Sequence, residues 1–415
     1  MTYTPHFPPC LRAEVELPSS KSLSNRALLL AALSGPEATL DRPADCDDTR
    51  VVWHALHDRP FTIDILAAGT AMRFLTAYFA LCPGEVHVLT GTERMRSRPI
   101  GVLVDALRAL GASIDYEERE GFPPLRVEGR QLEGGEVVMQ ANVSSQYISA
   151  LLMIAPLTRR GLTLRLEGEV VSRPYIDMTL ALMRESGARA GWTGPQTLRV
   201  EPGSYRREHL FEIESDWSAA SYWYAMVALS PDPGATVSLR YLRADSLQGD
   251  SVVRSLFAPL GVSTELGRFS GRAKLSKRAL SPDEAARPVE ADLSACPDLA
   301  QTLVVACAFL RRPFRFTGLR TLRIKETDRL AALQAELRKF GAEATVEGDE
   351  AIYIKEYPAA FPAWNGQPVA TYHDHRMALS FAPAALRCPG FSIADPEVVS
   401  KSYPQFWSHL ESLHP

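Results

Sequence analysis

RLAALQAELRKFGA, residues 329–342, runs into EATVEG at 343–348 and AIYIKE at 351–356. The first stretch reads as an amphipathic helix, and the two that follow read as strands. Gly341 ends the helix, because a residue without a Cβ enters the left-handed cap at no steric cost. Three other stretches carry the same signature: IGVLVDALRALGA with Gly111, MTLALMRESGA with Gly187, and SVVRSLFAPLGV with Gly261. Each is followed by two strand-like segments. The four glycines lie 76, 74 and 80 residues apart. That regularity implies a repeated unit of strands and two helices, in which the second helix leads into a hairpin. An earlier, more apolar helix precedes each of them: SQYISALLMIAPL, SAASYWYAMVAL, PDLAQTLVVACAFL and HRMALSFAPAAL, with SNRALLLAALS at 24–34 as a chain-initial counterpart. VVWHALHDR and FWSHLESL read as two further second helices. The count is six units, three per half. Only FTIDIL follows VVWHALHDR before the next motif, so the hairpin of that one unit is expected to be missing. The period is too long for a solenoid of short repeats.

The 415 residues exceed one ordinary domain. With 46% hydrophobic and 23% charged residues the chain is neither disordered nor fibrous. No apolar run reaches the ~18 residues of a membrane helix, and the first residues show no signal peptide. A net charge of −4 argues against a nucleic-acid partner. The six cysteines form no CxxC pair, and none has zinc spacing with histidine; free thiols in a reducing cytoplasm are expected. HExxH, GxGxxG and GxxxxGK[ST] are absent, so neither a protein metal site nor a nucleotide cradle is expected.

Cations and hydroxyls gather at helix entrances. LPSSKSLSNRALLLAAL places Lys21 and Ser22 at a helix start with Arg26 one turn on. AAGTAMRF puts Gly69 at another start, and GTERMRSRPIG carries Arg94, Arg96 and Arg98 before Pro99. NVSSQYISALL opens with Ser144, Ser145 and Gln146, and VVSRPYIDMTL holds Ser172, Arg173 and Tyr175. RIKETDRLAAL sets Lys325 and Arg329 four apart, as on one helical face, beside Glu326. Asp298 follows Pro297, Arg376 follows Asp374 and His375, and VSKSYPQFW adds Lys401. Free backbone N–H groups and fixed cations suit multiply anionic small molecules. The seven cations Lys21, Arg26, Arg98, Lys325, Arg329, Arg376 and Lys401 exceed the need of one phosphate, so two anionic ligands are expected. Asp298 and either Lys325 or Glu326 are available for proton transfer.

In this order, LPSSKSLSNRALLLAAL, AGTAMR, RPIGVLVDALRALGA, VSSQYISALLM, SRPYID, KETDRL and DHRMA resemble the 5-enolpyruvylshikimate-3-phosphate synthase family over about residues 12–410. The resemblance implies a two-domain inside-out α/β barrel of six βαβαββ units. The domains would be 1–19 with 215–415, and 20–214, with the active site in the cleft between them. It implies transfer of the enolpyruvyl group of phosphoenolpyruvate to the 5-hydroxyl of shikimate 3-phosphate, with no metal or organic cofactor. A cytoplasmic monomer with no nucleic-acid or membrane partner is expected. Lys21, Ser22, Arg26, Ser144, Ser145, Gln146, Ser172 and Tyr175 would hold shikimate 3-phosphate, together with Asp298 and Lys325. Lys21, Gly69, Arg98, Gln146, Arg329, Arg376 and Lys401 would hold phosphoenolpyruvate. Asp298, Lys325 and Glu326 would be catalytic. The chain departs from the family's common pattern at Ser20, Ala67, Phe74 and Thr321. Ala67 and Phe74 are expected beside the phosphoenolpyruvate pocket. GTERMRSR lacks the cysteine typical of the related UDP-N-acetylglucosamine enolpyruvyl transferases.

Overall fold

Gly111, Gly187, Gly261 and Gly341 have φ of +102°, +94°, +81° and +89° in the computed structural model, which describes residues 1–141, 144–267 and 271–414. Behind Gly341 the amide of Ala342 returns to the carbonyl of Leu337 at 3.1 Å. Ala112 and Ala188 close onto Leu107 and Met183 in the same way. These bonds satisfy carbonyls that the helix ends would otherwise orphan. Three of the four expected helices form as Gly101–Ala109, Arg173–Glu185 and Arg329–Arg338. The fourth is broken into a 3₁₀ turn, the short α-helix Val253–Phe257 and a second 3₁₀ turn, Ala258–Leu260. Pro259 lies in that last turn and has no N–H to continue an α-helix.

The hairpins after the glycines all form. Each is the outer part of a four-stranded sheet with one recurring order. Thr62–Asp64 pairs parallel with Val86–Thr90, which pairs antiparallel with Leu125–Glu128, and Ser113–Tyr116 is the far edge. The other three sheets repeat this order. They begin at Gly135–Gln140, Arg12–Glu16 and Val289–Asp292. Two further sheets have two strands: Leu210–Glu212 with Thr39–Asp41, and Thr2–Tyr3 with Ile393–Ala394. The expectation of a single shortened unit is corrected here, because among the described residues each half of the molecule carries one two-stranded sheet.

The chain divides into two compact units, Met1–Pro18 with Glu214–Pro415, and Ser19–Ile213. These boundaries fall one residue earlier than the sequence reading places them. Each unit buries its own core. Leu23, Phe74, Leu107 and Leu151 belong to the core of Ser19–Ile213. Trp217, Trp223, Leu303 and Phe340 belong to the other. Helix Ala300–Phe309 is buried on every side, and helix Trp217–Leu229 everywhere but at Ser218. An all-round apolar helix belongs in an interior. The strands alternate instead: Leu125–Glu128 reads buried, exposed, buried, exposed, so one sheet face packs and the other is wet. Cys46, Cys296 and Cys307 are buried free thiols, Cys82 and Cys388 are half-buried, and Cys10 is exposed. No helix of the described residues is long and apolar enough to cross a membrane.

Candidate active site

In the unit Ser19–Ile213, Ser20 caps helix Lys21–Ser34 by accepting from the amide of Leu23. That fixes Lys21 as the first helical residue, and its Nζ donates to Asp48 Oδ2 at 3.0 Å. Arg26 is only 2% exposed. Its guanidinium donates to Thr179 Oγ1 at 2.7 Å, to the Ser22 carbonyl at 2.9 Å, and to Ser149 Oγ and the Tyr175 carbonyl at 3.3 Å each. It lies over the Phe74 ring. Burial pushes its pKa down to about 10, against the opposing pull of Tyr175. Arg26 therefore ties its own helix to helices Ser145–Ile154 and Arg173–Glu185. Ser144 caps helix Ser145–Ile154, and Gln146 Nε2 donates to Thr70 Oγ1 at 3.0 Å. Asn142 and Val143 of the NVSSQ motif lie outside the described residues. Ser172 sits at φ +54° before helix Arg173–Glu185, and its carbonyl accepts from the Tyr175 amide.

Gly69 opens helix Gly69–Ala80. A Cβ on Gly69 would lie 2.7 Å from Arg98 Nη1, so the missing side chain is what lets the guanidinium sit against the backbone. Arg98 is followed by Pro99, whose carbonyl accepts from both Arg73 and Tyr147. Arg96 instead pairs with Glu118 at 2.9 Å, so the arginine run does not act as one cluster. Phe74, expected at a pocket wall, is fully buried in the core.

In the other unit, six of the residues picked from sequence converge. Asp298 lies in a 3₁₀ turn ahead of helix Ala300–Phe309. Its Oδ1 meets Arg329 Nη1 at 3.0 Å and Lys325 Nζ at 3.6 Å, and its Oδ2 meets Arg376 Nη2 at 2.9 Å. Arg329 also pairs with Glu326 at 3.0 Å and with Asp374 at 2.7 Å, while Lys401 reaches Glu326 at 3.1 Å. Four cations thus face three carboxylates. The idea that Lys325 and Arg329 share a helical face is corrected. Asp328 caps the helix through the Ala331 amide, so the helix starts at Arg329. Lys325 is in extended backbone, and the two cations meet by way of the turn between them.

Burial by itself would raise the Asp298 pKa, but Arg376, Lys325 and Arg329 outweigh it and hold the carboxyl well below the usual range. Burial lowers Lys325, with Asp298 opposing. Burial also lowers Arg329, but Asp374, Glu326 and Asp298 outweigh it and raise the net value. A pair of residues not singled out from sequence completes the cluster. Arg376 also approaches Ser218 Oγ at 3.5 Å, and Ser218 donates to Asp250, which is 3% exposed. Burial and then the charge of Asp298 push Asp250 up to about 7. Thr179 and Ser149 could have been found from sequence, because each lies four residues after a chosen residue, Tyr175 or Ser145. Asp48 and Asp250 lie too far along the chain from any motif to have been found this way. Among the described residues no group of three or more His, Cys, Asp or Glu is placed to hold a metal ion.

Comparison with known proteins agrees with the motifs. The family model described as EPSP synthase (3-phosphoshikimate 1-carboxyvinyltransferase) matches residues 8–58 and 57–410. A 3-phosphoshikimate 1-carboxyvinyltransferase of Bacteroides fragilis (strain YCH46) is 50% identical over 99% of this chain and 97% of its own length. One from Yersinia pseudotuberculosis serotype O:3 is 37% identical over 96% and 95%. The solved EPSP synthase of Acinetobacter baumannii superposes with a TM-score of 0.77 at 21% identity, covering 99% of this chain and 97% of that one, and so speaks to the fold. The extent of the family match, and of the identity to these relatives, places the chain in the EPSP synthase family.

Proposed function

We propose that this chain transfers the enolpyruvyl group of phosphoenolpyruvate to the 5-hydroxyl of shikimate 3-phosphate and releases phosphate, the reaction of the shikimate pathway for which its family is named. The observation that carries the reading is the cluster around Asp298. There an ionised carboxylate and a lysine of lowered pKa sit among arginines able to fork around carboxylate or phosphate oxygens.

In this reading Arg329, Arg376 and Lys401, with Lys21, Gly69, Arg98 and Gln146 from the other unit, hold phosphoenolpyruvate. Lys21, Ser22, Arg26, Ser144, Ser145, Gln146, Ser172 and Tyr175 hold shikimate 3-phosphate, Arg26 by fixing the Tyr175 backbone as well as by its charge. Both units act on one substrate pair, and the six repeated units, four of them with a hairpin and two without, form two inside-out barrels. Asp298 is a weak base where three cations stabilise its charge. Anionic substrates compete for those same cations. Their arrival raises the Asp298 pKa toward the range in which it accepts the 5-hydroxyl proton. Lys325 then protonates the enol carbon as the substrate oxygen bonds to the adjacent carbon, giving a tetrahedral intermediate. The now neutral Lys325 takes a proton back from the new methyl group as the carbon–oxygen bond to phosphate breaks, which restores the double bond, and Asp298 gives its proton to the departing phosphate. Glu326 is paired with Arg329 and Lys401, which supports a role in orienting those cations and leaves proton delivery to Lys325. Fixed charges stabilise the developing charge without reorganising. Phosphate release measured with both substrates, and with each alone, tests the reading; release that does not require shikimate 3-phosphate would overturn it.

A further inference from the structure

Glu336 is a fully buried carboxylate that the reaction does not use. It lies on helix Arg329–Arg338, seven residues beyond Arg329 and therefore on the same face. Its Oε2 accepts from the Ala370 amide at 2.9 Å, its Oε1 accepts from the Tyr372 hydroxyl at 2.7 Å, and Lys339 pairs with it at 2.7 Å. The segment it grips is conformationally costly. Tyr372 and His373 are consecutive non-glycine residues at φ +54° and +56°, a left-handed pairing that persists only where the surroundings enforce it. Asp374 comes next. Its amide donates to the Thr371 carbonyl at 2.8 Å, and its carboxylate accepts from the Arg376 amide at 2.9 Å and from Arg329 Nε at 2.7 Å. One helix thus holds the segment at two points, Arg329 on Asp374 and Glu336 on Ala370 and Tyr372.

We propose that Tyr372 and Glu336 are positioning residues for the reaction: they hold the left-handed turn that aims Arg376 at phosphoenolpyruvate. Neither touches substrate; both act through Asp374 and Arg376. The proposal rests on the reading above that Arg376 meets phosphoenolpyruvate. Releasing the turn should let the Arg376 guanidinium drift from its seat against Asp298, and an ångström of drift is enough to weaken a bidentate contact.

The test is steady-state kinetics of the full chain with Tyr372→Phe, which removes one hydroxyl and keeps the ring. KM for phosphoenolpyruvate should rise at least fivefold. KM for shikimate 3-phosphate should stay within twofold, kcat within threefold and the thermal midpoint within about 2 °C. Glu336→Gln, which keeps one carbonyl acceptor, should show the same split. Arg376→Lys is run alongside. If it leaves KM for phosphoenolpyruvate unchanged, the reading of the site itself falls. If it raises that KM while Tyr372→Phe and Glu336→Gln do not, the positioning role is overturned. A fall in midpoint and in active fraction with both KM values unchanged would make the contact merely structural and overturn it as well.

Discussion

Asp298 is held by three cations and has its pKa well below the ordinary carboxylate range, so Asp298→Asn removes a charge from the centre of the network while keeping its shape. Turnover should fall by about 10²–10⁴-fold, the usual cost of a lost general base. KM for phosphoenolpyruvate should not rise, because Lys325, Arg329 and Arg376 lose a competitor for the anionic ligand. Near-normal kcat would remove Asp298 from the chemistry. Lys325 bears on pH. Burial lowers its pKa, so, with Lys325 as the proposed proton donor, the proton for the enol carbon is lost at a pH below the ~10.4 of an ordinary lysine. The rate should therefore fall on the alkaline side earlier than for an exposed lysine. Lys325→Arg keeps the charge and cannot titrate, so this limb should vanish from its kcat/KM profile, at a lower plateau. An unchanged limb would assign it to another group. At Gly69 the structure predicts that Gly69→Ala pushes Arg98 aside, since the new Cβ would stand 2.7 Å from its Nη1. The guanidinium is the far end of a flexible side chain, so folding should survive while KM for phosphoenolpyruvate rises severalfold. A KM equal to wild type would remove Arg98 from that ligand.

Among the elements, the glycine-capped helices and their hairpins were legible because both signals are local. A helix cap needs one residue type at one position, and a hairpin follows within a few residues. Gly341 gives a clean test. Nothing lies within 4 Å of the place where its Cβ would go, yet φ is +89°. Gly341→Ala should therefore cost about 1–2 kcal/mol from backbone strain alone, with kcat unchanged. A denaturation midpoint equal to wild type would show that the cap relaxes freely. Where the reading failed, a side chain competed with the periodic pattern. Asp328 captures the Ala331 amide and delays the helix to Arg329, so the i,i+4 reading of Lys325 and Arg329 missed a turn that still brings them together. Pro259 broke a helix whose apolar spacing looked continuous. The cluster around Asp298 was legible only as separate pieces. The bonds that join them span 78 residues from Arg376 to Asp298 and 158 from Arg376 to Ser218, and no local rule reports them. Asp48, Asp250, Glu336 and Tyr372 escaped for the same reason.

For the whole molecule, the decisive feature is that each of the two units has its own core and that the chain passes between the units twice, at Pro18–Ser19 and Ile213–Glu214. Such a chain need not unfold in one step. Four of the six tryptophans, the fully buried Trp217 and Trp223 and the half-buried Trp364 and Trp407, belong to one unit, whereas the other has the exposed Trp53 and the half-buried Trp192. Tryptophan fluorescence therefore follows mainly the unit Met1–Pro18 with Glu214–Pro415, and circular dichroism follows both. Leu107 is fully buried in the other core. Leu107→Ala should cost that unit about 2–5 kcal/mol. In urea, circular dichroism should then show an early transition that fluorescence follows only in small part, through Trp192. A coincident shift in both probes would mean that the cores unfold as one. Shikimate 3-phosphate extends the test, because most of the residues proposed to hold it lie in the destabilised unit. At about 100 times its Kd the ligand should restore roughly 2.7 kcal/mol to the early transition. Any rise in the fluorescence transition would come only from its contacts with Asp298 and Lys325. A ligand shift confined to the fluorescence transition would move the shikimate 3-phosphate site out of Ser19–Ile213 altogether.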